Sequence, residues 1–324
     1  MAAGLGTRLR PLTYEVPKPM VPVANRPVIE HLLVLLGGQG FGEVIANLHW
    51  FPQTIRERLG DGSALGVDLT YSHEDELLNT AGGVWNVRDY LAGDGDSFLV
   101  MAGDALTDVD LEALRAAHEA HEGVATLAVK RVPNVSEYGV VVTGADGRVQ
   151  GFQEKPHPAE ALSDLANCMI YAFRPEIFDY FPDPPFVDWA KDIFPTLLDH
   201  DVPFYVHEID AYWNDVGSLP EYLRGNLDAI EGAVRVEAAG ELLETFGGED
   251  SLERGEPGVS GRVLADAGCE IHPEARLDGP LVLGTGSRIA AGARVKHSVL
   301  LPGSEVGAGA LVAGGIYGQG GRLA

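Results

Sequence analysis

The chain has 324 residues and a formal charge of −25, from 48 acidic against 23 basic side chains. Such a field repels polyanions, which argues against nucleic acid or an anionic membrane surface as the main partner; a small anionic ligand would need a local basic island. With 45% apolar and 8% aromatic residues the sequence reads as globular, and its length suits one large α/β domain plus a smaller appendage, since single cores stop growing at roughly 250 to 300 residues.

The first twenty residues hold a basic island: Arg8, Arg10 and Lys18 against the single acid Glu15. It lies in Gly4-Leu5-Gly6-Thr7-Arg8-Leu9-Arg10-Pro11 and Pro17-Lys18-Pro19. Glycines let backbone amides approach phosphate oxygens, and Arg8 and Lys18 add cationic donors, an environment that suits a triphosphate. The closing Gly-Lys-Ser/Thr of a P-loop is missing, and alone the glycine pair reads equally as a structural turn. Pro27 is placed to open a helix through Leu36, stopped by the glycines at 37, 38 and 40.

From there to Asp215, short β-type runs alternate with segments of helical period, the pattern of a mainly parallel, Rossmann-like sheet covered by helices. Strands are expected at Glu43–Asn47, Val67–Ser72, Phe98–Ala102, Val124–Lys130, Gly139–Thr143, Val149–Glu154, Met169–Phe173 and Phe204–Glu208. Helices are expected at Thr54–Leu59, Asp110–His121, Trp189–His200 and Pro220–Ile230. Asp104 follows the apolar run Phe98–Ala102. An aspartate at the carboxyl end of a buried strand faces the crevice where open α/β sheets bind ligands, and a hard carboxylate there suits Mg²⁺. Asp215, in Tyr212-Trp213-Asn214-Asp215-Val216-Gly217, is the expected partner, the two carboxylates holding one metal that bridges phosphate oxygens. Singly, each aspartate reads as well as a turn or helix cap. Between them, Gly139, Glu154, Lys155 and Asn167 offer acid, amide and backbone groups for sugar hydroxyls, with Lys155 for a sugar phosphate; alone, Glu154 and Lys155 would be a surface ion pair.

Cys168 and Cys269 have neither metal-ligand spacing nor the density of a disulfide scaffold and are expected to stay reduced. The best apolar stretch, Leu32–Leu36, is too short to span a bilayer, and no basic segment followed by an apolar one opens the chain. A cytoplasmic protein is expected.

Residues 233–258 turn acidic and glycine-rich, with a short apolar patch at Leu242–Phe246, and read as a linker between a domain at 1–232 and another at 259–324. In the latter, apolar residues recur every sixth position at Ile271, Leu277, Leu283, Ile289 and Val295, then at Leu300, Val306 and Val312 after one step of five. That period matches neither an amphipathic helix nor a hairpin; it is the repeat of a parallel β-helix, whose inward residues stack as ladders. Open edges and a flat face make this segment the expected contact of a homo-oligomer.

Taken in order, these pieces resemble the sugar-nucleotide pyrophosphorylase family of nucleotidyltransferases. Its opening pattern is G-x-G-T-R-L-x-P-L-T followed by P-K-P, here Gly4 to Thr13 and Pro17-Lys18-Pro19. The likeness continues through residues 60–71 and 77–84, Gly103-Asp104, Glu154-Lys155-Pro156 and the segment around Asp215, and many members carry a left-handed six-residue-repeat β-helix behind the catalytic domain. The resemblance implies transfer of a nucleotidyl group from a nucleoside triphosphate to a sugar 1-phosphate, with pyrophosphate leaving and no covalent intermediate. Ala3, Gly4, Gly6, Thr7 and Arg8 would grip the triphosphate, Lys18 would neutralise charge at the reacting phosphate, and Gly82 would lie near the base. Asp104 and Asp215 would hold Mg²⁺; Gly139, Glu154 and Asn167 would contact the sugar and Lys155 its phosphate. Residues 77–84 look most like mannose-1-phosphate guanylyltransferases, which implies GTP and mannose 1-phosphate, with glucose 1-phosphate and UTP, dTTP or ATP as the alternative.

Three departures from the family pattern stand out. Asn79 replaces a usual glycine, so the base-side loop is expected to differ in shape. Met169 stands where the family has the glycine of N-A-G, and its bulk would narrow or re-aim the sugar pocket. Relatives also place an apolar strand before the glycine loop, whereas this sequence opens at Met1-Ala2-Ala3-Gly4, which is read as a missing strand with its natural start upstream. These departures favour a rival reading as a non-catalytic sugar-nucleotide-binding subunit; Arg8, Lys18, Asp104 and Asp215 together oppose it. A second rival, acyl transfer by the β-helix, would need longer coils and a catalytic histidine, whereas His272 and His297 read as surface residues.

Overall fold

The computed structural model describes residues 1–93, 95–182, 186–243 and 257–324. The expected patch at Leu242–Phe246 therefore lies partly outside the described residues. Contacts divide the chain into two compact units: Met1–Leu5, Leu32–Ala105 and Val109–Trp213 form the first, and Gly6–His31, Leu106–Asp108 and Asn214–Ala324 the second.

The first unit is the expected α/β assembly. Strands Glu43–Leu48 and Asp68–His73 pair in parallel, Val44 opposite Leu69. In the larger sheet, Tyr205–Glu208 runs parallel to Ala125–Arg131, but Leu165–Phe173 runs antiparallel to all three of its neighbours, so the sheet is mixed. This long strand begins four residues before the expected Met169, because a bulge between Asn167 and Tyr171 interrupts its register. On one edge, Ala166 pairs Val140 before the bulge, while Ile170–Phe173 pair Phe98–Met101 after it. A bulge bends a strand and re-aims its side chains, and here it lets one edge serve two partners.

Alternation along this strand builds two cores. Leu165, Tyr171 and Phe173 face a cluster with Trp189, Phe194 and Phe204, and the Phe173 and Trp189 rings stack at 4.5 Å. Ala166, Cys168, Ile170 and Ala172 face Leu32, Leu111, Leu114 and Trp213 on the other side. Each fully buried large side chain contributes about 1.5–3 kcal/mol.

Helix Leu111–Glu119 is capped by Asp110, whose side chain accepts from the Ala113 amide at 2.8 Å. The segment expected as one helix from Trp189 to His200 is instead a π-helical turn, Trp189–Ile193, followed by α-helix Phe194–Asp199. Pro195 lacks the amide that an α-turn would bond to residue 191, and a wider turn accommodates its ring. Helix Val28–Gly38 runs two residues past its expected end. A Cβ on Gly37 would meet the Gly66 carbonyl oxygen at 2.6 Å, so the glycine permits close approach of the neighbouring chain.

The second unit contains a hairpin that the sequence reading missed. Pro22–Val23 pairs antiparallel with Arg26–Pro27 around Ala24 and Asn25, at φ 49° and 63°, the left-handed pair of a tight two-residue turn. Helix Leu219–Glu231 starts at the Ser218 cap and ends at Gly232, φ 83°.

The expected coils follow. Arg276–Leu283, Arg294–Leu300 and Leu311–Gly318 pair in parallel, as do Glu270–Ile271, Arg288–Ile289 and Glu305–Val306, the pairing of a parallel β-helix. Arg276 lies opposite Arg294, 18 residues on, and Arg294 opposite Leu311, 17 on; the single five-residue step accounts for the difference. Leu277, Val295 and Val312 form one inward ladder and Ile289 with Val306 another. Val282, between inward Leu281 and Leu283, faces outward yet is 2% exposed, and Val299 and Ile316 in the next coils are equally covered. Helix Leu219–Glu231 packs across these same three strands, which explains their burial. Among the described residues no helix is long and apolar enough to cross a membrane.

Candidate active site

In the second unit, two members of the basic island, Arg8 and Lys18, fold around Asp215, while Arg10 lies over the Tyr14 ring. Gly6, at φ 61°, starts the 3₁₀ turn Thr7–Leu9. A Cβ there would lie 2.8 Å from Lys18 Cβ and 3.0 Å from Thr13 Cγ2, so only glycine fits both the dihedral and the space. Thr13 Oγ1 donates to the Gly6 carbonyl at 2.7 Å, locking the turn. Lys18 is only 9% exposed, and its Nζ donates to the Asp215 carbonyl at 3.0 Å. Arg8 Nη2 lies 3.7 Å from Asp215 Oδ2 while its side chain stays 58% exposed. Arg8 and Lys18 are thus both brought to Asp215.

Local geometry around Asp215 explains the Asn-Asp-Val-Gly order. Asp215 Oδ1 accepts from the Gly217 amide at 3.1 Å, and a Cβ on Gly217 would collide with the same carboxylate. Val216 is fully buried at φ 41°, a left-handed conformation that costs a β-branched residue on the order of 1–3 kcal/mol. Asn214 compensates: its Oδ1 accepts from Val216 N at 2.8 Å and its Nδ2 donates to Glu221 O. The sequence reading gave Asn214, Val216 and Thr13 no role. A valine at positive φ has no sequence signature.

The first unit carries the other predicted residues. The Gly103 amide donates to Met1 O at 2.7 Å, and a Cβ on Gly103 would lie 2.7 Å from that oxygen and 3.3 Å from Ala2 Cβ, so Met1 and Ala2 lie beside the residue that precedes Asp104. Ala2 N donates to Asn47 Oδ1 at 2.7 Å, and Asn47 Nδ2 donates to Glu74 Oε1 at 2.6 Å. Glu74 and Asn47 were missed, because buried polar partners 27 residues apart leave no local pattern. Gly82 is buried, and the Ala81 and Gly82 amides both donate to Val187 O. Asn79 opens that helix at φ 64°, a backbone suited to glycine and tolerated by asparagine.

Of the residues expected to meet the sugar, Gly139 and Glu154 are cross-strand partners, and a Cβ on Gly139 would approach Glu154 Oε2 to 3.1 Å. Lys155 Nζ lies 4.0 Å from Glu154 Oε1, so these three residues share one surface. Asn167 is on the long strand, beside the Ala166–Val140 pair. Its amide is engaged in the bulge: Nδ2 donates to Tyr171 Oη at 2.9 Å and Oδ1 accepts from Met169 N at 3.0 Å. Met169 sits at φ 54° and its carbonyl accepts from Ala102 N, two residues before Asp104. Trp213 donates from Nε1 to Cys168 O at 3.1 Å and packs against Tyr138. Burial pushes the Cys168 thiol up, away from the thiolate form, which leaves no cysteine nucleophile in this region.

A family model described as nucleotidyl transferase matches residues 1–232. The chain is 36% identical over 330 residues to the UTP–glucose-1-phosphate uridylyltransferase of Synechocystis, covering 96% of this chain and 84% of that protein. It is 34% identical over 313 residues to the mannose-1-phosphate guanylyltransferase of Mycobacterium tuberculosis, covering 96% and 81%. Among solved structures, HddC from Yersinia pseudotuberculosis superposes with a TM-score of 0.61 at 24% identity, covering 69% of this chain and 95% of that one; likeness at that identity speaks for the fold alone.

Proposed function

We propose, for a chain that belongs to the nucleotidyl transferase family, the reaction of GTP with mannose 1-phosphate to give GDP-mannose and pyrophosphate. The coarser activity, sugar-1-phosphate nucleotidyl transfer, is that of the family and of relatives with both substrate pairs. The observation that carries the reading is the convergence of Arg8 and nearly buried Lys18 on Asp215. Two cations gathered at one place suit a triphosphate in an otherwise acidic protein.

In the proposed step, an oxygen of the sugar phosphate attacks the α-phosphorus in line. The bond from that phosphorus to the β-phosphate oxygen breaks, and pyrophosphate leaves with the electron pair. Lys18, fixed by the Asp215 carbonyl, offers a pre-oriented charge to the oxygens of the transferring group; such preorganisation is the main contribution a protein makes to this chemistry. Arg8 keeps a mobile guanidinium for the outer phosphates. Asp104 and Asp215 are each read as carboxylate ligands of Mg²⁺, which when bound neutralises phosphate charge. The hard oxygen donors fit that ion, and Arg8 at 3.7 Å is too loosely paired to exclude it from Asp215. Gly139, Glu154, Lys155 and Asn167 are read as the sugar-phosphate side, and Gly82 as part of the base side.

Guanine is favoured by the likeness of residues 77–84 to guanylyltransferases and by the Mycobacterium relative. A second reading, UTP with glucose 1-phosphate, is favoured by the Synechocystis relative. The test is Mg²⁺-dependent pyrophosphate release from GTP, UTP, dTTP, CTP and ATP, each with mannose 1-phosphate and with glucose 1-phosphate. Preference for GTP with mannose 1-phosphate is expected; a different winning pair replaces the substrates, and silence across the panel refutes the assignment. The coils at 259–324 are read as a homo-oligomer contact, with Leu311 presenting an apolar side chain 68% exposed. Gel filtration of a chain ending at residue 258 should show a smaller assembly than the full chain, and an unchanged number of subunits would refute that role.

A further inference from the structure

Among the described residues of the first unit Glu74 is the most deeply buried carboxylate, 2% exposed, in a segment given no chemistry so far. Both its oxygens are used. Oε1 accepts from Asn47 Nδ2 at 2.6 Å and Oε2 from the Leu78 amide at 3.2 Å. The other end of the Asn47 amide accepts from Ala2 N at 2.7 Å. One continuous line of hydrogen bonds therefore runs from the backbone entering the glycine loop, through Asn47 and Glu74, to the residue that caps the helix containing Gly82. The line is packed as well as bonded: a Cβ on Gly83 would strike Glu74 Oε1 and lie 2.5 Å from Asn47 Nδ2.

Burying a carboxylate is costly unless its oxygens are satisfied, and a hydrophobic pair would fill the same space at less risk. What the polar line adds is direction. Each bond fixes an orientation, and together they set the phosphate-side loop and the base-side helix at one spacing. We propose that Glu74 is a positioning residue for the nucleotide, acting through Asn47 on Ala2–Gly4 and through Leu78 on the helix that carries Gly82. It touches neither triphosphate nor base itself. The inference rests on the nucleotide reading of those two segments.

Donor and acceptor polarity supplies the test. In Glu74→Gln, an amide NH₂ must face a donor, either Asn47 Nδ2 or the Leu78 amide. In Asn47→Asp, two carboxylate oxygens meet. In the double variant every bond returns: the new amide at position 74 donates to the new carboxylate at position 47 and accepts from Leu78, that carboxylate still accepts from Ala2, and the total charge is unchanged. Dissociation constants for GTP and UTP, with KM for the sugar phosphates, are measured on the 324-residue chain, with unfolding midpoints as the folding control. Each single variant should weaken nucleotide binding about tenfold or more, as expected for a broken charge-assisted bond, while sugar-phosphate KM stays within about twofold. The double variant should regain nucleotide affinity to within about threefold of the parent chain. Gly83→Ala, which alters no hydrogen-bonding group, should weaken nucleotide binding selectively as well.

A folded double variant that binds nucleotide no better than the single variants overturns the proposal, as does a folded Gly83→Ala protein with unchanged affinity. A parent chain that binds neither nucleotide would sink the functional reading itself. A parent chain that binds, with relay variants that bind equally well, would sink only the relay.

Discussion

Acid should weaken this protein at one identifiable residue, His118. Its side chain is wholly buried at the end of helix Leu111–Glu119. Nδ1 lies 2.8 Å from Thr126 Oγ1, which also contacts His121 Nε2 at 2.9 Å, and Nε2 has no hydrogen-bond partner. The Gly123 amide donates to His121 Nδ1, so His121 carries its proton on Nε2 and donates to Thr126. Wherever the remaining proton of the triad sits, adding one to His118 either breaks the Thr126 bond or leaves a buried N–H with no acceptor. The Arg174 guanidinium and the His121 ring face the same site, and both oppose positive charge. Burial first, then those two groups, lower the His118 pKa from 6.5 to about 4. Between those values the unfolded chain binds a proton that the native state refuses, so stability is full above about pH 6.5 and falls as pH drops towards about 4. Linkage gives a loss of about 2 kcal/mol at pH 5 and about 3 kcal/mol below pH 4. Urea unfolding at pH 7.5 and pH 5 measures it, and His118→Asn, which keeps a polar atom at the δ position, should lose about 2 kcal/mol less than the parent chain between those pH values. An equal acid loss in the two proteins would refute the assignment.

Lys18→Met should lower kcat/KM about 100- to 1000-fold, the usual cost of removing a pre-oriented donor to a reacting phosphate oxygen; pyrophosphate release reads it, and a loss under tenfold would remove Lys18 from that role. Gly217→Ala places a methyl against the Asp215 carboxylate and should cost about 1–3 kcal/mol of stability together with most of the activity, whereas a wild-type rate would show that Asp215 need not stay where it is. Asn79, exposed and at φ 64°, should tolerate glycine, while Asn79→Ala should lower stability by about 1 kcal/mol; equal urea midpoints for the two variants would contradict the left-handed assignment.

Where one local rule decides the structure, the sequence was readable. The six-residue spacing of Leu277, Ile289, Val295 and Val306 marked the coils, and its one step of five foretold a coil one residue shorter. Strand Gly139–Thr143 and strand Val149–Glu154 fall where alternation put them. The misses are places where distant chain decides. The bulge at Asn167–Tyr171 hides the first half of its strand, because the polar Asn167 interrupts the apolar run. The π-helical turn answers to Pro195, and the Ala24-Asn25 turn has no glycine to announce it. Arg8, Lys18 and Asp215, singled out by motif spacing, do lie close to one another. Asn47 and Glu74 were not singled out, since their meaning lies only in whom they face.

The coils and the loop that carries Arg8 and Lys18 share a unit for a physical reason. Val282, Val299 and Ile316 would present an apolar stripe to water on an isolated β-helix, and helix Leu219–Glu231 packs across the strands that carry them. That helix begins two residues after Gly217, the residue that makes room for Asp215, with Ser218 between them as its cap. From its buried middle, Asn226 Oδ1 accepts from Ala24 N, while Asn25 Nδ2 reaches the Leu283 carbonyl of the first long coil. The hairpin that leaves Lys18 is thus gripped on one side by the helix and on the other by a coil, and Ala239 N adds a third bond to the Ala24 carbonyl. A buried lysine keeps a useful position only if the backbone on both sides of it is fixed. Asp215 fixes its head through one carbonyl, and the coils, through Asn25 and the helix, fix its tail. In this chain the β-helix is part of the framework that holds the cationic site.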